Sequence, residues 1–186
     1  MGMAAPIYWT AEMVRALPDD GNRYELVNGE LLVSPSPRLW HQRLVGRLHL
    51  ALGEYLRGHP VGEVLIAPAD ISWGDEHVLT QPDIFVLPAL ASSTEHWKDL
   101  RHLLLVAEVL SSSTARNDRF VKRPEYQRRG VPTVWLIEGD DRYVEVWTPE
   151  AAFPVIVRER LIWHPDGARE PFTLELAQLF GPAQPA

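Results

Sequence analysis

The chain has 186 residues, of which 46% are hydrophobic and 23% charged, the proportions of a folded globular protein and not of a disordered one. Lys and Arg total 18 against 25 Asp and Glu, a net charge of −7 that excludes a strongly basic nucleic-acid carrier but leaves room for a local basic patch. Without cysteine, disulfides, thiolate chemistry and Cys-ligated zinc or iron–sulfur sites are excluded too. The opening residues lack a basic stretch followed by an apolar one, and no apolar run approaches the ~20 residues of a membrane span. A cytoplasmic protein with no membrane partner is therefore expected, with one domain over residues 1–181 and a frayed tail at 182–186.

Thr10 is placed to cap a short helix reaching about Leu17, which Pro18-Asp19-Asp20-Gly21 ends. Residues 24–27 and 30–33 flank Asn28-Gly29, and Asn-Gly between apolar runs signals a tight hairpin because both turn positions need positive φ. From 38 to 56 the period changes: Leu44, Val45, Leu48, Leu52, Tyr55 and Leu56 recur at three and four, one face of an amphipathic helix. Strand-like runs follow at 63–71, 78–87 and 103–110, then a helix over 116–129 that stops at Gly130-Val131-Pro132. Residues 134–137 and 143–147 read as a second hairpin, and the tail adds one or two strands near 154–162 and a short helix at 174–180. The order predicts an α/β or α+β fold, a sheet flanked by helices.

Several chemistries are absent from the pattern. No GxG occurs among the 12 glycines, so a dinucleotide fingerprint and a P-loop are missing. There is no GxSxG elbow, and the seven histidines form no HExxH. Two carboxylates stand out instead. Glu108 interrupts the apolar run 103–110, and Asp83 opens the apolar run 84–87. A charge inside such a strand costs several kcal/mol unless it is paired, protonated or bound to a metal. Each can also lie at a strand end and reach water. Only two of the 18 basic residues are lysines, and Lys122 lies in a segment, 116–129, with a local charge of +4. An ammonium can orient a water and tune its proton loss in a way guanidinium cannot. The plainer alternative is a solvated helix with an Asp118–Lys122 pair at i,i+4.

Pro82-Asp83 and Glu108 within Ala107-Glu-Val-Leu-Ser resemble the PD…(D/E)xK signature of restriction-endonuclease-like nucleases. More narrowly, the chain is similar to the Uma-type family of restriction endonucleases. The shared stretches are Tyr24-Glu-Leu-Val-Asn-Gly-Glu30, His41, Gln81-Pro-Asp83, Glu108-Val-Leu-Ser111 and Asp118-x-x-x-Lys122-x-Pro124-x-Tyr126. One departure matters: two residues after Glu108, where the signature has lysine, stands Leu110, and Lys122 takes that place from the next helix. The resemblance implies a restriction-endonuclease-like core, a mixed sheet flanked by helices, that hydrolyses phosphodiesters of DNA. It implies a Mg²⁺ or Mn²⁺ ion held by Asp83, Glu108 and the Val109 carbonyl, with Glu25 as a further carboxylate and Lys122 orienting the water. His41, Asp70, Gln81 and Tyr126 would support the site, Arg116, Arg119 and Arg123 would contact DNA, and a homodimer would cut two strands. A nuclease-like fold that binds without cutting, and a hydrolase of small phosphoesters, are the competing readings.

Overall fold

Leu44, Val45, Leu48, Leu52 and Leu56 fall on one stripe of a 20-residue helix, and that stripe is buried against one face of a six-stranded sheet. A computed structural model describes residues 8–90 and 95–182, so all but the first residue of the frayed tail expected at 182–186 lies outside the described residues. In chain order the elements are α1 (Ala11–Arg15), the hairpin β1 (Arg23–Val27) and β2 (Glu30–Ser34), α2 (Leu39–Gly58), β3 (Gly62–Ile66), β4 (Ile84–Pro88) and β5 (Leu105–Val109). There follow the helical stretch α3 (Ala115–Asn117), a π-helical turn (Asp118–Lys122) and α4 (Arg123–Arg128). The chain ends with β6 (Val134–Glu138), β7 (Tyr143–Trp147), β8 (Val155–Val157), β9 (Arg160–Trp163), β10 (Phe172–Glu175) and α5 (Leu176–Phe180).

The large sheet runs β3-β4-β5-β6-β7-β8 and is antiparallel except for the central pair β5–β6. That parallel pair needs a crossover, and the helical stretch 115–128 supplies it. Side chains alternate across the sheet, and each face has its own core. Ile84, Val86, Leu105, Ala107, Trp135 and Ile137 pack under α2, α5 and β9–β10. Phe85, Leu87, Val106, Leu110, Val134 and Leu136 pack on the other side with Tyr126 of α4. The fold is thus mixed α+β, with a mixed sheet between helical layers, as expected from the sequence.

The hairpin forms as its turn chemistry requires, with Asn28 at φ 53° and Gly29 at φ 80°. Three boundaries differ from the sequence reading. The run 63–71 leaves the sheet after Ile66, and the run 78–87 joins it only at Ile84. Between them the chain loops out, held by the isolated bridges Ile71↔Thr80 and Leu26↔Leu79, and Pro82, with no N–H to donate, lies just outside the ladder. Residues 174 and 175 belong to β10, so the last helix starts at Leu176. The helix read over 116–129 is interrupted: the Arg123 N–H bonds to the Asp118 carbonyl, five residues back. Pro124 explains this, since it has no N–H to give and its ring crowds the preceding turn of a regular α-helix.

Candidate active site

β1 starts at Arg23, and strand alternation sends Arg23 and Glu25 to the same side. The Leu26–Leu79 bridge draws this hairpin against the loop before β4, where the Gln81 N–H donates to Glu25 Oε1 at 2.7 Å. β4 and β5 pair with Ile84 opposite Ala107, which places Asp83 beside Glu108 one step further on. Both point to the face covered by the helical crossover. The Asp83 N–H donates to Glu108 Oε2 at 3.3 Å, and the Val109 N–H donates to Asp83 Oδ2 at 2.9 Å. From the crossover, Asp118, Lys122 and Tyr126 arrive at spacings of four, on one side of the helical stretch.

Glu25, Asp83, Glu108 and Lys122 are each no more than 5% exposed, so the readings of Asp83 and Glu108 as strand ends reaching water and of Lys122 as part of a solvated helix are set aside. The Lys122 ammonium lies 2.9 Å from Glu25 Oε1, 2.9 Å from Glu108 Oε1 and 3.5 Å from Asp118 Oδ1. Tyr126 donates its hydroxyl to Glu108 Oε1 at 2.6 Å. Asp83 is held from two further sides: His41, on the first turn of α2, bonds Oδ2 through Nε2 at 3.0 Å, and Arg23 donates to Oδ1 at 2.9 Å. Behind Glu25, Gln81 donates to Asp70 at 3.1 Å, and Arg15 faces Asp70 at 3.5 Å. Asp70 therefore supports the loop that orients Glu25 and does not itself line the cleft.

The electrostatics follow from four buried carboxylates facing two permanent cations, Arg23 and Lys122. Burial alone would raise the Asp83 pKa, but the hydrogen bond and charge of His41, then the charges of Arg23 and Lys122, hold it well below the usual carboxylate range. Burial pushes Glu108 up to about 8, with Asp83, Asp118 and Glu25 adding to the rise and Lys122 opposing it. Asp118 rises to about 6, again chiefly through burial. Burial works against the charge on Lys122, yet Glu108 and Glu25 outweigh it and hold the ammonium protonated. Among the described residues the three groups that touch Glu108 are all donors, so burial and then the neighbouring carboxylates, not a hydrogen-bond acceptor, account for its raised pKa.

The site opens into a cleft of about 190 Å³ lined by Arg23, Glu25, His41, Asp83, Glu108 and Lys122, with the Ser111–Thr114 loop at its rim. Val109 and Asp118 also line it. Arg119 and Arg123 do not: Arg119 pairs with Glu145 at 2.7 Å and Glu138 at 3.1 Å, and the Arg123 guanidinium lies 4.0 Å from the centre of the Trp147 ring. Arg116 is exposed, outside the cleft lining. Most of the +4 expected along this segment is thus matched by acids elsewhere in the fold, Arg119 by Glu138 and Glu145, Lys122 by Glu25 and Glu108, and Arg129 by Asp75. Arg23 is the residue the sequence reading missed. Its signal was there, because in Arg23-Tyr24-Glu25 any strand that aims Glu25 at a site aims Arg23 there too.

Among the described residues no three His, Asp or Glu side chains form a ready-made metal cluster. The donor chemistry nevertheless fits a hard dication: the ligands on offer are carboxylate oxygens, and with all four ionised, Glu108 included, they carry two negative charges beyond Arg23 and Lys122. Mg²⁺ keeps several waters and takes one or two carboxylates, so a three-acid cage is not required.

The mixed sheet brings two strand carboxylates and a lysine to one cleft, the arrangement that the resemblance to restriction-endonuclease-like nucleases implies. The family model Uma2, described as "Putative restriction endonuclease", matches residues 11–171, and the chain belongs to that family. Among solved structures it is similar to the crystal structure of a "putative nuclease belonging to DUF820" from Anabaena variabilis ATCC 29413. The two share 19% identity and a TM-score of 0.76 over 92% of this chain and 97% of that one, a likeness in fold. A comparison with the curated proteins finds no match. Among the described residues no helix is long and apolar enough to cross a membrane.

Proposed function

We propose that this protein is a Mg²⁺- or Mn²⁺-dependent DNA endonuclease. The observation that carries the reading is the buried Lys122, whose ammonium sits 2.9 Å from both Glu25 and Glu108 in the same cleft as Asp83. Asp83 and Glu108 are the residues to hold the cation, with the Val109 carbonyl and Glu25 beside them. When bound, the ion polarises the phosphate and lowers the pKa of a water. Lys122 orients that water and stabilises charge on the phosphoryl oxygens. Tyr126 fixes one oxygen of Glu108, and His41 fixes one oxygen of Asp83, so both carboxylates keep their aim. The cleft opens at the surface beside the Ser111–Thr114 loop, so a polymer can lie across its mouth.

A second reading, a nuclease-like module that binds without cutting, draws on the net charge of −7 and on the pairing of Arg119, Arg123 and Arg129 within the fold. Cleavage of supercoiled plasmid separates the two. The wild type is expected to nick or linearise plasmid with Mg²⁺ or Mn²⁺ and to lose activity in EDTA, with Glu108→Ala and Lys122→Ala each slowed by a factor of about 10² or more. Linear product without accumulating nicks would indicate that two copies act together. No cleavage by the folded wild type would leave the binding module.

A further inference from the structure

Asp83 has one oxygen already filled: Oδ2 accepts from the Val109 N–H at 2.9 Å and lies 3.0 Å from His41 Nε2. The oxygen left for a cation is Oδ1, and the Arg23 guanidinium sits on it at 2.9 Å, steadied by the Gln81 carbonyl at 3.3 Å. Arg23 is held less firmly than its partner, with 22% of its side chain exposed against 5% for Asp83. It lines the cleft over Glu108 and Lys122, and it also lines a neighbouring cleft between the 19–22 turn, Pro35–Pro37 and Gln42. That neighbouring cleft leaves about 300 Å³ of open space beside Arg23.

We propose that Arg23 is a gate on the cation site: it occupies Asp83 Oδ1 in the empty protein and gives that oxygen up to the incoming cation. A guanidinium beside the ligand oxygen repels a dication at a distance where the interior screens poorly, so the closed gate weakens cation binding. Released, the same guanidinium offers a planar fork suited to a phosphate of the substrate. Anything that draws Arg23 toward phosphate then tightens the cation, and by linkage the cation tightens the phosphate. Lys122 has no such freedom to swing, because its ammonium is held by Glu25, Glu108 and Asp118.

The proposal rests on the cation site proposed above, and one experiment separates their failures. Free Mn²⁺ is followed by electron paramagnetic resonance as it is titrated into the full chain, for the wild type, Arg23→Gln and Arg23→Met, each first checked for a cooperative thermal transition. Arg23→Gln and Arg23→Met should bind Mn²⁺ about tenfold more tightly than the wild type. The gain should vanish when Asp83→Asn is added, and plasmid cleavage should slow in Arg23→Gln despite the tighter cation. Equal or weaker Mn²⁺ binding in both folded Arg23 variants would overturn the gate while leaving the cation site standing. No Mn²⁺ binding in the wild type or the variants would instead overturn the cation site itself.

Discussion

Glu108 is the residue where burial and chemistry conflict most directly. Burial, with Asp83, Glu25 and Asp118 nearby, pushes its pKa up to about 8, and on the proposed reading it gives that proton up to bind a cation. Two consequences have definite signs. Metal affinity should climb with pH from 6 to about 8 and level off above, and at pH 7 binding should release close to one proton per site. Calorimetry in buffers of different ionisation enthalpy reads that proton directly; heats independent of buffer would contradict it. For the metal-free fold the sign is reversed, because the folded pKa lies above the unfolded one. The stability contributed by protonated Glu108 is complete below about pH 4.5 and is lost as pH rises through about 8. Asp83, held low, contributes in the opposite sense: its stability is present at neutral pH and lost in acid. Both carboxylates were legible as charges out of place in apolar runs. Lys122, Tyr126 and His41 came with the family resemblance, whereas Arg23 did not, because the residue that meets Asp83 Oδ1 lies 60 positions away in sequence.

At the scale of elements, the hairpin that carries Arg23 and Glu25 depends on one left-handed turn. Gly29 sits at φ 80°, and a Cβ there would run into the ring of Tyr8. Gly29→Ala should therefore cost about 1–2 kcal/mol in urea unfolding and reduce cleavage by loosening Glu25; an unchanged midpoint would contradict this role. The hairpin could be read from Asn28-Gly29 because its turn is local chemistry. The crossover helix was half legible. Asp118, Lys122 and Tyr126 share a face by spacing, whereas the π-helical turn that accommodates Pro124 has no signature beyond the proline itself. The strand at 78–87 was read too long because apolar Leu79 packs against α1 and β1 without belonging to the sheet. β10 was merged into a helix because short apolar runs carry no clear period.

For the whole molecule, charge decides how DNA can be held. The net charge is −7, and the basic residues lining the cleft are Arg23, Arg38 and Lys122, the last of them buried among acids. Few phosphates can be neutralised, so DNA affinity should fall only gently with salt, with a log–log slope of about −2 to −3 by fluorescence anisotropy. A slope near −6 would reveal a basic surface elsewhere. On the proposed reading, acidity of this kind would make the cation the main counter-charge for phosphate at the site. Isothermal calorimetry of Mn²⁺ with the wild type, Asp83→Ala and Glu108→Ala therefore tests the central claim most directly. The account predicts a site in the wild type that is lost in both variants. Wild-type binding that survives both substitutions, or no binding even with DNA present, would contradict it.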